Sequence, residues 1–251
     1  MDRPRVALFV TCLVDFFRPE IGFAAVALLE RAGCDVMVPA QTCCGQPGYN
    51  AGDRSDALAV ARKTIAALES FEHVVVPSGS CAGMIKIHYP ILFQDDPICA
   101  ARAGALAAKT HELFSFLVNV RGLASSDAKC TGIAACHDSC SSLRELGVAR
   151  EPRALLAKVE GLSLRDIPEG ETCCGFGGLF SVKYPEISAR MADDRLAAAE
   201  ATGATMLVGG DLGCLLHLAG RASRTGKTIE IRHSAEIVAG ISAPAIGKDK
   251  L

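Results

Sequence analysis

One cysteine pattern is written twice along this chain, and it constrains the fold more than any other feature. Cys12, the vicinal pair Cys43-Cys44 followed by Gly45, and Cys81 recur as Cys140, Cys173-Cys174 with Gly175, and Cys214. Cys12 to Cys43 and Cys44 to Cys81 are 31 and 37 positions apart in the first copy, against 33 and 40 in the second. Bridging neighbouring cysteines closes a strained ring, whereas separate metal atoms take one sulfur each without strain. Two matching thiol quartets therefore imply two metal sites on a duplicated scaffold.

The remainder of the chain says what that scaffold is. Short β-branched runs (Val6–Val10, Asp35–Val38, His73–Pro77, Gly132–Ala135, Leu162–Ile167, Thr205–Val208, Ile229–Arg232) alternate with alanine-rich stretches of helical period (Gly22–Arg31, Arg54–Leu68, Pro185–Thr202, Leu215–Arg224). Alternation of this kind predicts an α/β fold with parallel sheets, here as two pseudo-symmetric lobes. Every repeat cysteine follows the end of an expected strand. Ligands gather at the carboxyl edge of open parallel sheets, so the three segments of each copy can meet there. Gly104 to Leu123 reads as helical and leads into the polar linker Ala124–Lys129, which divides the chain into lobes 1–126 and 127–251 near Ser126. The tail from Ser242, through Pro244, Gly247, Asp249 and Lys250, reads as frayed.

A chain of 251 residues that is 50% apolar can bury a large core, and a formal charge of −2 offers no reason to bind nucleic acid or an anionic membrane. The longest apolar runs, Val6 to Val14 and Ile21 to Leu29, fall short of the roughly 18 residues a bilayer span needs. Asp15, Arg18 and Glu20 follow the first run at once, which argues against a signal peptide and for a cytoplasmic, reducing location. The chain has neither a G-x-G-x-x-G fingerprint nor a phosphate loop, and it lacks the C-x2-C-x2-C-x3-C run of ferredoxin-type modules.

The arrangement resembles the cysteine-rich CCG domain, which ends in a C-x-x-C and occurs in pairs in heterodisulfide reductases and in the iron–sulfur component of glycolate oxidases. Within that group the chain resembles the lactate utilization protein A family. The likeness is carried by Pro77-Ser-Gly-Ser-Cys81-Ala-Gly-Met84, His137-Asp-Ser-Cys140 and Cys173-Cys-Gly-Phe-Gly-Gly-Leu-Phe-Ser-Val-Lys-Tyr-Pro185. It implies [4Fe-4S] clusters, noncubane in some members and up to two in number, held by Cys12, Cys43, Cys44 and Cys81 and by Cys140, Cys173, Cys174 and Cys214. It also implies an electron-transfer subunit of a complex oxidising L-lactate or a related 2-hydroxy acid, with a ferredoxin-type iron–sulfur partner. A heterodisulfide-reductase-like or glycolate-oxidase-type catalytic subunit, and a zinc-stabilised interaction protein, are the competing readings.

The chain departs from the pattern where each C-x-x-C should end, with Met84 in the first copy and His217 in the second. A thioether ligates oxidised iron weakly, so Met84 is expected to pack, and zinc is a candidate for the four-thiol first site. Imidazole does ligate iron, so His217 reads either as a second-site ligand or as a nearby non-ligand. Cys34, Cys99, Cys130 and Cys136 read as buried packing residues. His137 and Asp138 flank the Cys140 edge, where either suits a hydrogen bond to cluster sulfur or a proton-handling role. His233 suits a helix cap or the same edge. Phe176, Leu179 and Phe180 read as a docking edge for the partner.

Overall fold

In the computed structural model, which describes residues 3–168 and 172–248, Val6, Ala7 and Leu8 are all fully buried. A strand buried on both faces needs helices above and below it, and the chain supplies them. The first lobe runs β1 (Arg5–Leu8), α1 (Cys12–Phe17), α2 (Pro19–Arg31), β2 (Asp35–Met37), α3 (Gln46–Ala51), α4 (Arg54–Leu68), β3 (His73–Val76), α5 (Gly79–Gly83), α6 (Tyr89–Leu92), α7 (Pro97–Ala108), β4 (Thr110–Glu112) and α8 (Leu113–Ser115). The second runs β5 (Lys129–His137), α9 (Arg150–Leu156), β6 (Glu160–Asp166), α10 (Leu179–Lys183), α11 (Pro185–Ala201), β7 (Met206–Gly209), α12 (Leu212–Arg224), β8 (Glu230–His233) and α13 (Ser234–Ala239). Wide π-type turns follow α5, α8 and Cys140.

The two sheets have the same order, β2-β1-β3-β4 and β6-β5-β7-β8, and every pairing is parallel. Val6 lies opposite Val36 and His73, and Ala134 opposite Leu164 and Met206. The expected α/β duplication is thus present strand for strand.

Local chemistry explains the covering helices. Asp53 caps α4 by accepting from Asp56 N at 3.1 Å, and Ala57, Ala61, Ile65 and Leu68 form its buried stripe. Asp211 caps α12, whose buried residues Leu215, Leu218, Ala219 and Ala222 face the sheet and whose last turn carries Arg221 and Arg224.

The lobes share a core rather than merely touching. Val6, Leu8 and Val75 of the first sheet belong to one buried cluster with Ala134, Cys136, Met206 and Val208 of the second, joined by Leu28 of α2 and Val238 of α13. At the edge of that contact Arg18 Nε meets Glu236 Oε1 at 2.8 Å, and both side chains are buried. Residues 122–128, around Ser126, carry no regular structure, and Ser126 Oγ donates to Val238 O at 2.9 Å.

Two expectations are corrected. Gly104–Leu123 is not one helix: α7 stops at Ala108, and β4 pairs with β3 before α8 begins. A strand of three residues carries no readable period, and Thr110 is buried with its hydroxyl turned back to Leu106 O at 2.8 Å. The tail is not frayed over its described part, because Ile246 N donates to Ile231 O at 2.8 Å, and Ala245 and Ile246 are buried. Asp249 and Lys250 lie outside the described residues. Among the described residues, no helix is long and apolar enough to cross a membrane.

Candidate metal centre

The eight repeat cysteines leave the carboxyl ends of their strands at equivalent places. Cys12 opens α1 after β1, and Cys140 opens the π-type turn Ser141–Glu145 after β5. The vicinal pairs lie in the loops after β2 and β6, and Cys81 in α5 and Cys214 in α12 follow β3 and β7. Two backbone features aim these sulfurs. Gly45 and Gly175 take φ of 84° and 87°, a region that penalises any Cβ, so the chain turns sharply behind each pair. Thr11 holds a φ of 79° although it is β-branched, a strained geometry kept immediately before Cys12.

Cys44 Sγ and Cys81 Sγ are 3.3 Å apart, much longer than a disulfide bond of about 2.05 Å, and the cysteines are free thiols. Gly45 N points at Cys43 Sγ at 3.4 Å, Gly175 N at Cys173 Sγ at 3.3 Å, and Phe176 N at Cys174 Sγ at 3.5 Å. Hydrogen bonds from the thiols of Cys12 and then Cys44 pull Cys43 down to about 2, against burial, with Gly45 N assisting. The thiols of Cys140 and Cys174 do the same to Cys173, also to about 2. Their partners move the other way: Cys12 and Cys140 are pushed up by those same hydrogen bonds and by burial, and Cys44 and Cys174 by their neighbouring thiols and burial. Crowded sulfurs of this kind do not all ionise together unless a cation shares the site. The donor set is soft and suits iron–sulfur or zinc.

The remaining candidates separate. Met84 is fully buried in the apolar cluster that also holds Cys44 and Cys81. Cys34 and Cys136 are buried in the core shared by the lobes, Cys99 and Cys130 pack half-buried at core margins, and burial lifts Cys136 to about 11. His217 Nε2 lies 3.2 Å from Ser188 Oγ and 3.4 Å from Ser188 O. It is His137 that brings a ring nitrogen into a group with Cys174 Sγ and Cys214 Sγ no wider than 4.8 Å. Asp138 is engaged by Arg153, whose Nη1 and Nη2 donate to its two oxygens at 2.7 and 2.8 Å. His233 caps α13, with Nδ1 accepting from Ala235 N at 3.2 Å. Phe176, Leu179 and Phe180 are half-buried beside the second vicinal pair.

The structure adds residues that the sequence reading passed over. Ser78 and Asp211 each stand three positions before the last cysteine of their copy, and they meet across the lobes: Asp211 Oδ2 accepts from Ser78 Oγ at 3.0 Å and from Ser80 N at 2.9 Å. The helices bearing Cys81 and Cys214 are thereby tied together. A cavity of about 140 Å³ between the lobes is lined by Cys12, Cys43, Cys44 and Cys81 and by Phe176 and Asp211 of the second lobe. Arg195, 1% exposed, reaches His137 from α11. Its sequence signal is an arginine within the apolar stripe of Ala192, Leu196 and Ala199.

The profile of the CCG cysteine-rich domain matches residues 6–86 and 134–219. Lactate utilization protein A of Bacillus velezensis is 49% identical over 235 residues, covering 93% of this chain and 98% of that protein. The Bacillus subtilis protein of the same name is 47% identical over the same shares. A hypothetical protein from Helicobacter pylori has a crystal structure that superposes with a TM-score of 0.70 at 12% identity, over 97% of this chain and 50% of that one, which is a likeness of fold.

Proposed function

The chain belongs to the lactate utilization protein A family of cysteine-rich CCG-domain proteins, and from that premise we propose that it is an iron–sulfur electron-transfer subunit of a cytoplasmic complex that oxidises L-lactate to pyruvate. The observation that carries the reading is the pair of thiol quartets, each assembled from three separate segments at the carboxyl edge of its own parallel sheet.

The residues fit such a group. Cys12, Cys43, Cys44 and Cys81 would hold one, and Cys140, Cys173, Cys174 and Cys214 the other. When bound, an iron–sulfur group supplies reversible electron storage, and hydrogen bonds to its sulfurs set its potential. The chain's own contribution is to keep the sulfurs unpaired to one another, to aim the amides of Gly45, Gly175 and Phe176 at them, and to hold the two lobes in register through Ser78 and Asp211. Onward transfer is proposed to a ferredoxin-type subunit docking on the edge formed by Phe176, Leu179 and Phe180.

Anaerobic purification with iron, acid-labile sulfide and zinc analysis tests the reading. A brown protein with iron in both lobes is expected, and Cys173→Ser should remove only the second site's share. A colourless protein carrying zinc at both sites refutes it. Zinc at the first site alone is a narrower alternative, favoured by the burial of Met84 in the apolar cluster of that lobe, and the same analysis detects it. Lactate oxidation should require the partner, and rapid turnover by the single chain would contradict an electron-relay role.

A further inference from the structure

His137 ends β5, is 4% exposed, and stands three residues before Cys140. Side chains alternate across a strand: Cys136 packs in the core shared with the first lobe, while Ala135 belongs to the cluster holding Cys174 and Cys214. His137 is therefore turned to the side of those sulfurs, with one ring nitrogen in the 4.8 Å group they form. Its two nitrogens are not equivalent. Nδ1 accepts from Arg195 Nε at 3.0 Å. A guanidinium only donates, so a neutral ring must carry its proton on Nε2. That Nε2 is buried and has no hydrogen-bond partner among the described residues. A buried N–H left without an acceptor is costly, and the sulfurs of Cys174 and Cys214 lie within 4.8 Å of a nitrogen of this ring.

We infer that, when the second site is filled, His137 donates its Nε2–H to a sulfur there, and that Arg195 is the positioning residue that fixes this tautomer. The inference deepens the iron–sulfur reading above and rests on it. Ligation by His137 is opposed by the same geometry: Nε2 binds metal only by giving up its proton, leaving an imidazolate, and Nδ1 only by displacing Arg195.

The equivalent positions of the first lobe carry no such pair. Aligning Cys12 with Cys140 puts Phe9 where His137 stands. Ala57 and Val60 face Gly45 as Ser188 and Met191 face Gly175, an offset that puts Thr64 where Arg195 stands. A donor to cluster sulfur, backed by a buried cation, favours the reduced state. Asp211 lies near Cys140 and Cys214 and acts in the opposite sense, so the informative comparison is between variants of the second site.

Two readouts test this. In the metal-free reduced protein, long-range 1H–15N NMR, with His137 assigned through His137→Gln, should show protonated Nε2 and bare Nδ1, a preference that Arg195→Met abolishes. A ring protonated on Nδ1 overturns the inference whether or not iron binds. In protein reconstituted with iron and sulfide, in a Cys44→Ser background that disables the first site, EPR-monitored potentiometry follows the second. His137→Phe and Arg195→Met should lower its reduced-to-oxidised ratio at fixed poise at least tenfold, about 59 mV for one electron, with iron content kept. His137→Gln, whose amide restores an N–H, should recover most of the loss. An unchanged potential overturns the inference, and so does loss of iron from a folded His137→Phe, which would make His137 a ligand. Wild-type protein that takes up no iron refutes the iron–sulfur reading instead, and the NMR result still decides the tautomer.

Discussion

Gly175→Ala and Gly45→Ala are the same substitution at equivalent places in the two copies, yet they should differ in cost. Both glycines sit in the left-handed region, with φ of 87° and 84°. The shared penalty is the backbone strain of an L-residue there, about 1–2 kcal/mol. The surroundings differ. A Cβ on Gly45 meets nothing closer than Val60 Cγ1 at 3.4 Å, an ordinary contact. A Cβ on Gly175 lies 2.6 Å from Ser188 O and 2.9 Å from Met191 Cβ, so the first turns of α11 must move. Overpacking of this kind adds about 1–3 kcal/mol. That shift also disturbs the bond from Ser188 Oγ to Gly175 O, at 2.7 Å, and the contact of Ser188 with His217. At roughly 2–4 °C per kcal/mol for a chain of this size, Gly45→Ala should melt about 4 °C lower and Gly175→Ala about 10 °C lower than wild type. The assay is a thermal scan by circular dichroism of the reduced, metal-free proteins, followed by iron loading. Only Gly175→Ala should lose second-site iron. Asparagine, which tolerates the left-handed region, separates the two causes: Gly45→Asn should outperform Gly45→Ala, whereas Gly175→Asn should be no better than Gly175→Ala. Equal losses at the two glycines would refute the role given to α11.

Three further outcomes are expected. Arg18→Met leaves Glu236 buried without its cation and should cost about 3–5 kcal/mol in urea unfolding, partly recovered by adding Glu236→Gln; a loss under about 1 kcal/mol would remove the ion pair from the account of how the lobes are joined. Burial pushes Glu112 from its usual 4.5 up to about 8, so the folded state holds a proton that the unfolded state releases, and the stability it contributes below pH 4.5 is lost as pH rises through 8. Wild type should therefore lose roughly 1.4 kcal/mol per pH unit relative to Glu112→Gln between those limits, and a gap independent of pH would mean that the carboxyl is not held neutral. Met84→Leu conserves volume in a fully buried position, so it should shift stability by less than about 1.5 kcal/mol and leave first-site metal content unchanged; loss of that metal would make the thioether a ligand.

The duplication, the parallel α/β scaffold and the eight thiols were legible in the chain because each depends on local chemistry. A vicinal cysteine pair followed by glycine states its own turn, and runs such as Val74–Val76 or Ala57–Leu68 state their own period. Where local chemistry is silent, tertiary structure decided. β4 exists because β3 offers it an edge, not because Thr110–Glu112 has a pattern. The segment around Ile246 is pinned by Ile231, which precedes it by a whole helix and turn. The surroundings of the two histidines needed three dimensions as well: His217 Nε2 faces Ser188, 29 residues before it, and His137 Nδ1 meets Arg195, 58 residues away. Ser78 and Asp211 look like ordinary helix caps until the lobes close and each becomes the other's partner across 133 positions. Buried polar groups must find partners wherever the fold brings them, and sequence spacing does not record those encounters.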